Sequence, residues 1–508
     1  MISIASKGSV TMDFSILDKR ERPKSDAPRA AFYQDLNLDR IIRQIEISYG
    51  EAVGKYYLYF PMDKECEDYR REIWHDIKRQ EISGALYDFR EQIQGMNEAL
   101  KVKEQVINDL QKQVWHLHAI HAYSDAFEAL YAGIKNAELT SEGMAGFRNY
   151  LGEYLRNAEY LEMKGRVSEV LDQLKSLRFT LTYDKERMVI AEGPAECVYE
   201  EFLAGHGNAP KERKRSPFGI SPMIGAFELQ CLTIIQQKKP KLFRHLQEVS
   251  RRYDSYGDDV LLRFIREVSF YMSFHSFERD MKKRGFHFSE PATDSSAPMK
   301  ADGLYDLALA CASLADGREV ISNDMNYGSD ESFFVVTGPN QGGKTTFARS
   351  LGQLVFFTKL GLDVPADFAN VHYFRDILSH FSVEESVETG RGKLKEELVR
   401  LAPMMEESCE NMFVVINELF TTAATYDAEI MGKRVLDHFI GLKCRGIYVT
   451  HLKELATAHE KVVSLCAMLS PEKVQTFKIE RSNAQESACA FNQVNKYRLT
   501  YEQLKERL

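Results

Sequence analysis

At 508 residues the chain is too long for one compact core, so two or three domains are expected. With 44% hydrophobic and 28% charged residues it has the composition of a folded globular protein, which excludes a disordered chain. The net charge of −9 excludes a broad basic surface that coats nucleic acid and leaves only a local basic patch for such a role.

Residues 1–30 mix Ser, Gly, Pro and charge, as in Lys19-Arg20-Glu21-Arg22-Pro23-Lys24-Ser25, and read as a flexible arm. The first residues lack the apolar core of a signal peptide, and no apolar run approaches the roughly 20 residues of a membrane helix. A cytoplasmic protein with no membrane partner is expected. The eight cysteines are scattered without a Cys-x-x-Cys pair, which points to free thiols rather than a disulfide frame or zinc cluster.

Residues 31–290 read as a helical domain. Leu38, Ile41, Ile42 and Ile45 share a helix face behind the capping candidate Asp35. From about Gly84 to Leu130, apolar residues such as Phe89, Ile93, Met96 and Leu100 recur at three- and four-residue steps, predicting one or two long helices packed against others. More amphipathic helix is predicted from Met144 to Leu161 and from Val167 to Leu177, then a short strand over Arg178–Tyr183. Gly205–Pro217 is a polar break, and helical pattern resumes from Phe227 to Arg284. His116, His118 and His121 suggest a metal site, but only the last two share a face and no third ligand is evident. The basic clusters Lys211–Arg215 and Lys238–Lys241 suit either a phosphate backbone or plain solvent.

Residues 291–318 are expected to link this region to the last domain, 319–508. There Phe333–Val336, Met412–Ile416 and Gly446–Val449 are short β-rich runs separated by helical segments, the pattern of a mainly parallel sheet covered by helices. Gly338-Pro339-Asn340-Gln341-Gly342-Gly343-Lys344-Thr345-Thr346 follows the first run and opens a helix. A glycine-rich turn in that place lets backbone N–H groups approach phosphate oxygens, Lys344 reach the outer phosphates and the Thr345 hydroxyl reach Mg2+. The second run ends in Asn417-Glu418, where ATPases carry acids that hold the metal's water shell and polarise the attacking water. Glu418 suits the latter role, while Asn417 is neutral. The third run ends in Thr450-His451, positioned for a hydrogen bond to a terminal phosphate.

Thr337–Thr346 resembles the phosphate loop of the MutS family of ATPases, and the Pro-Asn within it is more specific than the generic pattern. The resemblance extends to Ser322-Asn323-Asp324, Val364-Pro365-Ala366, Thr425-Tyr426-Asp427 and Thr450-His451, and more weakly to Asp68-Tyr69-Arg70 with the helices up to residue 290. It implies a helical core and lever region followed by an ATPase domain built like those of ABC transporters, with ATP sandwiched in a homodimer. By this resemblance, residues 338–346 bind phosphate, Glu418 activates water and His451 senses the terminal phosphate. Thr345 and Asn417, with Glu384 or Glu385, attend Mg2+. The segment Gly390-Arg391-Gly392-Lys393-Leu394 occupies the place of the loop that completes the partner's site.

Two departures from the family pattern bear on activity. Asn417 stands where the family has aspartate, and the serine of the trans-acting loop is missing, with Lys393 beside its place. The mismatch-reading domain with its Phe-x-Glu motif is not in this sequence, nor is a nuclease tail. The expectation is a slow ATPase, binding ATP and ADP, that couples nucleotide state to structure-specific DNA binding. The alternative is a nucleotide-gated protein scaffold with little hydrolysis and no DNA binding, favoured by the acidic net charge and by Asn417.

Overall fold

The computed structural model describes residues 14–19, 31–61, 63–184, 187–193, 224–381, 393–471 and 474–482. It divides into two compact units, Met1–Ile16 with His75–Arg266 and Leu17–Trp74 with Glu267–Leu508. Composition suggests breaks near residues 30, 290 and 318. The division by compactness instead falls within two helices, Lys64–Ile77 and Asp259–Lys283. Of the stretch read as an arm, residues 14–19 are described, and Ile16 and Leu17 are buried.

The first unit is helical. The long apolar repeat forms two paired helices, Gln80–Gln105 and Asp109–Ile134, and buries Phe89, Ile93, Met96 and Leu100. The break between them is fixed by Asn108, whose side-chain oxygen accepts the N–H groups of Leu110 and Gln111 at 3.0 and 3.2 Å. The helix predicted from Met144 to Leu161 is split in two, Glu142–Tyr154 and Ala158–Ser176. Asn157 starts the second by accepting from the Glu159 N–H at 2.7 Å. The expected strand is β1 (Phe179–Asp184), paired antiparallel with β2 (Arg187–Glu192). Helices Ala226–Lys238 and Pro240–Arg252 follow. Within the unit, Phe147 stacks on Phe264 at 3.5 Å between ring centroids. His116 is buried with its ring nitrogens against Lys103 Nζ and the Tyr253 carbonyl, so it is a packing residue.

Among its described residues the second unit holds nine strands: β3 (Met299–Leu304), β4 (Asn323–Tyr327), β5 (Phe333–Thr337), β6 (Phe368–Asn370), β7 (Ile377–Phe381), β8 (Phe413–Asn417), β9 (Arg445–Val449), β10 (Val462–Leu469) and β11 (Gln475–Arg481). The main sheet has the order β11-β10-β5-β9-β8-β7. All its pairs are parallel except β10–β11. Every residue of β5 and β8 is buried, as in a parallel sheet covered on both faces. The three β-rich runs read from sequence are β5, β8 and β9, three adjacent strands. A smaller antiparallel sheet, β4-β3-β6, and the helix Leu307–Asp316 are formed by residues around and within the stretch read as a linker.

The helix Lys344–Lys359 is the centre of this unit. Its Phe356 meets the rings of Phe32, Tyr33 and Phe60 at 6.5, 5.8 and 5.6 Å. Its Gln353 is fully buried. The side chain donates to the Leu36 carbonyl at 3.0 Å and to Asp306 at 2.9 Å, and accepts from the Leu307 N–H at 2.8 Å. Arg349 donates to the Asp35 carbonyl at 2.9 Å. The short helix Phe32–Asp35 and the helix Leu38–Tyr49 thus belong to the same unit as the helix Lys344–Lys359, although they lie some 300 residues earlier in the chain.

Candidate functional site

Parallel strands present their carboxyl ends at one edge, and in open α/β sheets ligands bind there. The register sets four of those ends side by side. Phe381 pairs with Asn417, Asn417 with Val449, and Val449 with Val336. The loop after β5, Glu418 after β8 and His451 after β9 therefore meet without long side chains having to reach. Backbone bonds fix the edge: the Glu418 N–H donates to the Val449 carbonyl at 2.9 Å, and the Thr450 N–H to the Val336 carbonyl at 3.0 Å.

The loop 338–343 turns through backbone that favours glycine. Gly338 has φ +120° and Gly343 φ +90°. A Cβ on Gly338 would approach the Ala467 backbone N to 3.0 Å, so the loop lies directly on β10. Gln475 donates to the Asn340 carbonyl at 2.8 Å and holds the loop from β11. Lys344 is only 4% exposed, and its Nζ donates to the carbonyls of Gly338 and Pro339 at 3.0 and 2.9 Å. Burial pulls its pKa below the usual lysine value, and the Glu418 carboxylate acts in the opposite direction. Thr345 donates its hydroxyl to Asn417 Oδ1 at 2.9 Å. Glu418 adopts φ +55°, and its Oε1 lies 3.1 Å from His451 Nε2. Two residues on, Phe420 also has positive φ, and its N–H donates at 3.1 Å to Oε2 of the buried Glu397.

Gln341, Gly342, Gly343, Lys344, Thr345, Thr346 and Glu418 line one cleft of about 710 Å3. Sequence reasoning missed its other wall, which includes Leu309, Arg318, Ile321 and Phe477. Ile321 directly precedes the Ser322-Asn323-Asp324 motif, a signal that was available. Phe477 had none. It sits at φ +57° because Asn323 donates to its carbonyl at 3.1 Å and accepts from the Ile479 N–H at 2.7 Å, tying β11 to β4. Of the remaining candidates, Glu384, Glu385, Gly390, Arg391 and Gly392 lie outside the described residues, while Lys393 opens the helix Lys393–Glu406.

The fold and site together define an α/β domain, joined to a helical region, whose polar loop and two acid-base side chains converge at the carboxyl ends of parallel strands. The chain matches the family described as MutS domain V over residues 334–495. It is 33% identical over 184 residues to the DNA mismatch repair protein MSH6 of Arabidopsis thaliana, covering 35% of this chain and 14% of that one. It is 29% identical over 158 residues to Endonuclease MutS2 of Bacillus velezensis, covering 31% and 20%. It is 26% identical over 143 residues to the DNA mismatch repair protein MutS of Fervidobacterium nodosum, covering 28% and 17%. The chain thus spans a fifth or less of the length of these relatives. Among the described residues no helix is long and apolar enough to cross a membrane.

Proposed function

We propose that the cleft binds Mg-ATP and hydrolyses it slowly, and that the nucleotide state governs binding to DNA of unusual structure. The observation that carries the reading is the convergence of Lys344, Thr345 and Glu418 on one cleft at the strand ends, with His451 held against Glu418. Backbone N–H groups of residues 340–346 and the start of the helix Lys344–Lys359 give the phosphates hydrogen bonds and favourable partial charge. Lys344, freed from the two loop carbonyls, turns its ammonium to the outer phosphates. Ile321 and Phe477 offer the apolar surface on which a base stacks.

The residues suit Mg2+, which takes few protein ligands and keeps much of its water. Thr345 lines the cleft with Glu418 and holds the Asn417 amide oxygen on its hydroxyl, and Thr345 and Asn417, with Glu384, would hold the ion. Bound Mg2+ supplies a Lewis acid that offsets the phosphate charge. Glu418 accepts the proton of the attacking water, oriented by its bond to His451. His451 then reports the terminal phosphate to the rest of the sheet edge.

DNA binding rests on the family and on relatives named for mismatch repair and as an endonuclease. A scaffold role without DNA binding is the second reading, favoured by Asn417 and by the net charge of −9. Two experiments separate the readings. Lys344→Ala removes a charge-assisted contact of about 1.5–3 kcal/mol. It should weaken nucleotide binding at least about tenfold in a fluorescence titration; unchanged affinity in a folded variant defeats the nucleotide site. A salt titration of binding to branched, mismatched and plain duplexes should show salt-dependent affinity that changes with ATP. No binding to any of them leaves the scaffold.

A further inference from the structure

The helical unit contains a second cavity, of about 420 Å3, within the range of small-molecule sites. It lies where the helix Glu142–Tyr154 ends, the helix Ala158–Ser176 begins and the chain turns out of Pro240–Arg252. Its wall is aromatic. Tyr150, Tyr154, Tyr160, Tyr253 and Tyr256 all line it. Tyr154 and Tyr160 form a corner, with ring centroids 4.9 Å apart and planes tilted by 50°. The Tyr150 hydroxyl is fixed by donation to Asp258 at 2.7 Å, and Tyr123 donates to the Tyr154 hydroxyl at 3.4 Å. Tyr256 is 6% exposed, and its hydroxyl has no partner among the described residues.

The polar part of the lining is acidic. Glu153, Glu159, Glu162 and Asp258 stand against a single cation, Arg252, so four negative charges face one positive charge. Arg252 pairs with Glu162 at 3.1 Å, and its guanidinium carbon lies 5.7 Å from the centroid of the Tyr253 ring. One face of the cavity already holds a cation over a tyrosine. Ring faces attract cations, and surrounding carboxylates repel phosphate or any other anion. The arrangement does not suit a metal, because among the described residues no three His, Cys, Asp or Glu side chains are grouped to hold one.

We infer that this cavity is a binding site for an organic cation, an alkylammonium or guanidinium group carried either by a free polyamine or by a lysine or arginine side chain of a partner protein. The aromatic corner supplies the face and the carboxylates the charge. This site does not depend on the nucleotide reading, since no residue of the phosphate loop takes part.

The test is isothermal titration of the full-length protein with spermidine and, separately, with a capped peptide of alternating alanine and lysine. Binding by either probe is expected, and the probe that binds identifies the source of the cation. Tyr154→Leu removes one face of the corner without changing the charge. A double variant, Glu153→Gln with Glu159→Gln, removes two exposed charges and leaves the core intact. Each should weaken the bound probe at least about tenfold, a loss of the size expected for a desolvated cation–π contact. If neither probe binds, the inference is wrong. It is equally wrong if Tyr154→Leu binds as the parent does, because the attraction is then only that of an acidic surface.

Discussion

The Thr345 hydroxyl donates to the side-chain carbonyl of Asn417 across 2.9 Å, joining the first turn of the phosphate-loop helix to the end of β8. An aspartate at 417 accepts the same bond, so the substitution adds charge without disturbing the geometry. An amide offers the cation's water shell one oxygen and no charge. Asn417→Asp should therefore raise phosphate release at saturating Mg-ATP by about an order of magnitude, within the range for one well-placed electrostatic group. Glu418→Gln should nearly abolish it. If Asn417→Asp slows the protein, the site has been rebuilt around asparagine.

Assembly is the next expectation. If each subunit completes the other's site, as the resemblance of Gly390–Leu394 to the family's trans-acting loop implies, ATP should shift the protein to a homodimer. Sedimentation velocity with ATP, and with ATP-loaded Glu418→Gln, measures this. A strict monomer at high concentration in both samples excludes a shared site.

Glu397 accepts the N–H of Phe420 and so holds the positive-φ turn that carries Glu418. Glu397→Leu keeps the volume and removes the acceptor. Turnover should fall about tenfold through misplacement of Glu418, while nucleotide affinity stays within twofold of the parent. Equal losses in both quantities would assign Glu397 to general stability.

Glu67 is 1% exposed beside Arg71, and burial pushes its carboxyl up to about 7. An acid whose folded pKa is raised gives stability that is complete below its unfolded value and is lost as pH rises through the folded one. For Glu67 that window runs from 4.5 to about 7. Glu67→Gln keeps a hydrogen-bond acceptor for Arg71 and removes the titration. The gap in melting temperature between variant and parent should thus widen in the variant's favour across this window. Buried His380, held down to about 4 by burial and by Arg400, gives the opposite slope in both proteins and cancels in the difference. A constant gap would show that Glu67 does not titrate there.

The site was legible in sequence wherever one short segment carries the chemistry. The phosphate loop, Asn417-Glu418 and Thr450-His451 each end a run of β-rich residues, and parallel register does the rest. Phe477 and Glu397 were not legible, because each is tied to residues distant in the chain by bonds that no local pattern announces. The helix breaks at 106–108 and 155–157 were blurred for another reason. Apolar spacing continues across them, and only the capping asparagines Asn108 and Asn157 mark the interruption. The role of Phe32–Tyr49 was hidden by distance along the chain.

That distance has a consequence for how the protein is made. The carbonyls of Asp35 and Leu36 find Arg349 and Gln353 only 314 to 317 residues later, so nothing of the helix Lys344–Lys359 exists when they leave the ribosome. Residues 75–266, which form a compact unit with the short segment 1–16, emerge in the interval. Contacts of such sequence separation close late, since the intervening chain must be brought together before they contribute. Residues 35 and 36 are therefore among the last to find their place, although they are made long before their partners. A fragment begun at residue 319 leaves Phe356 and Gln353 facing water. The helix that lines the cleft is packed by two segments far apart in the chain, and its surroundings cannot be finished until both have been made.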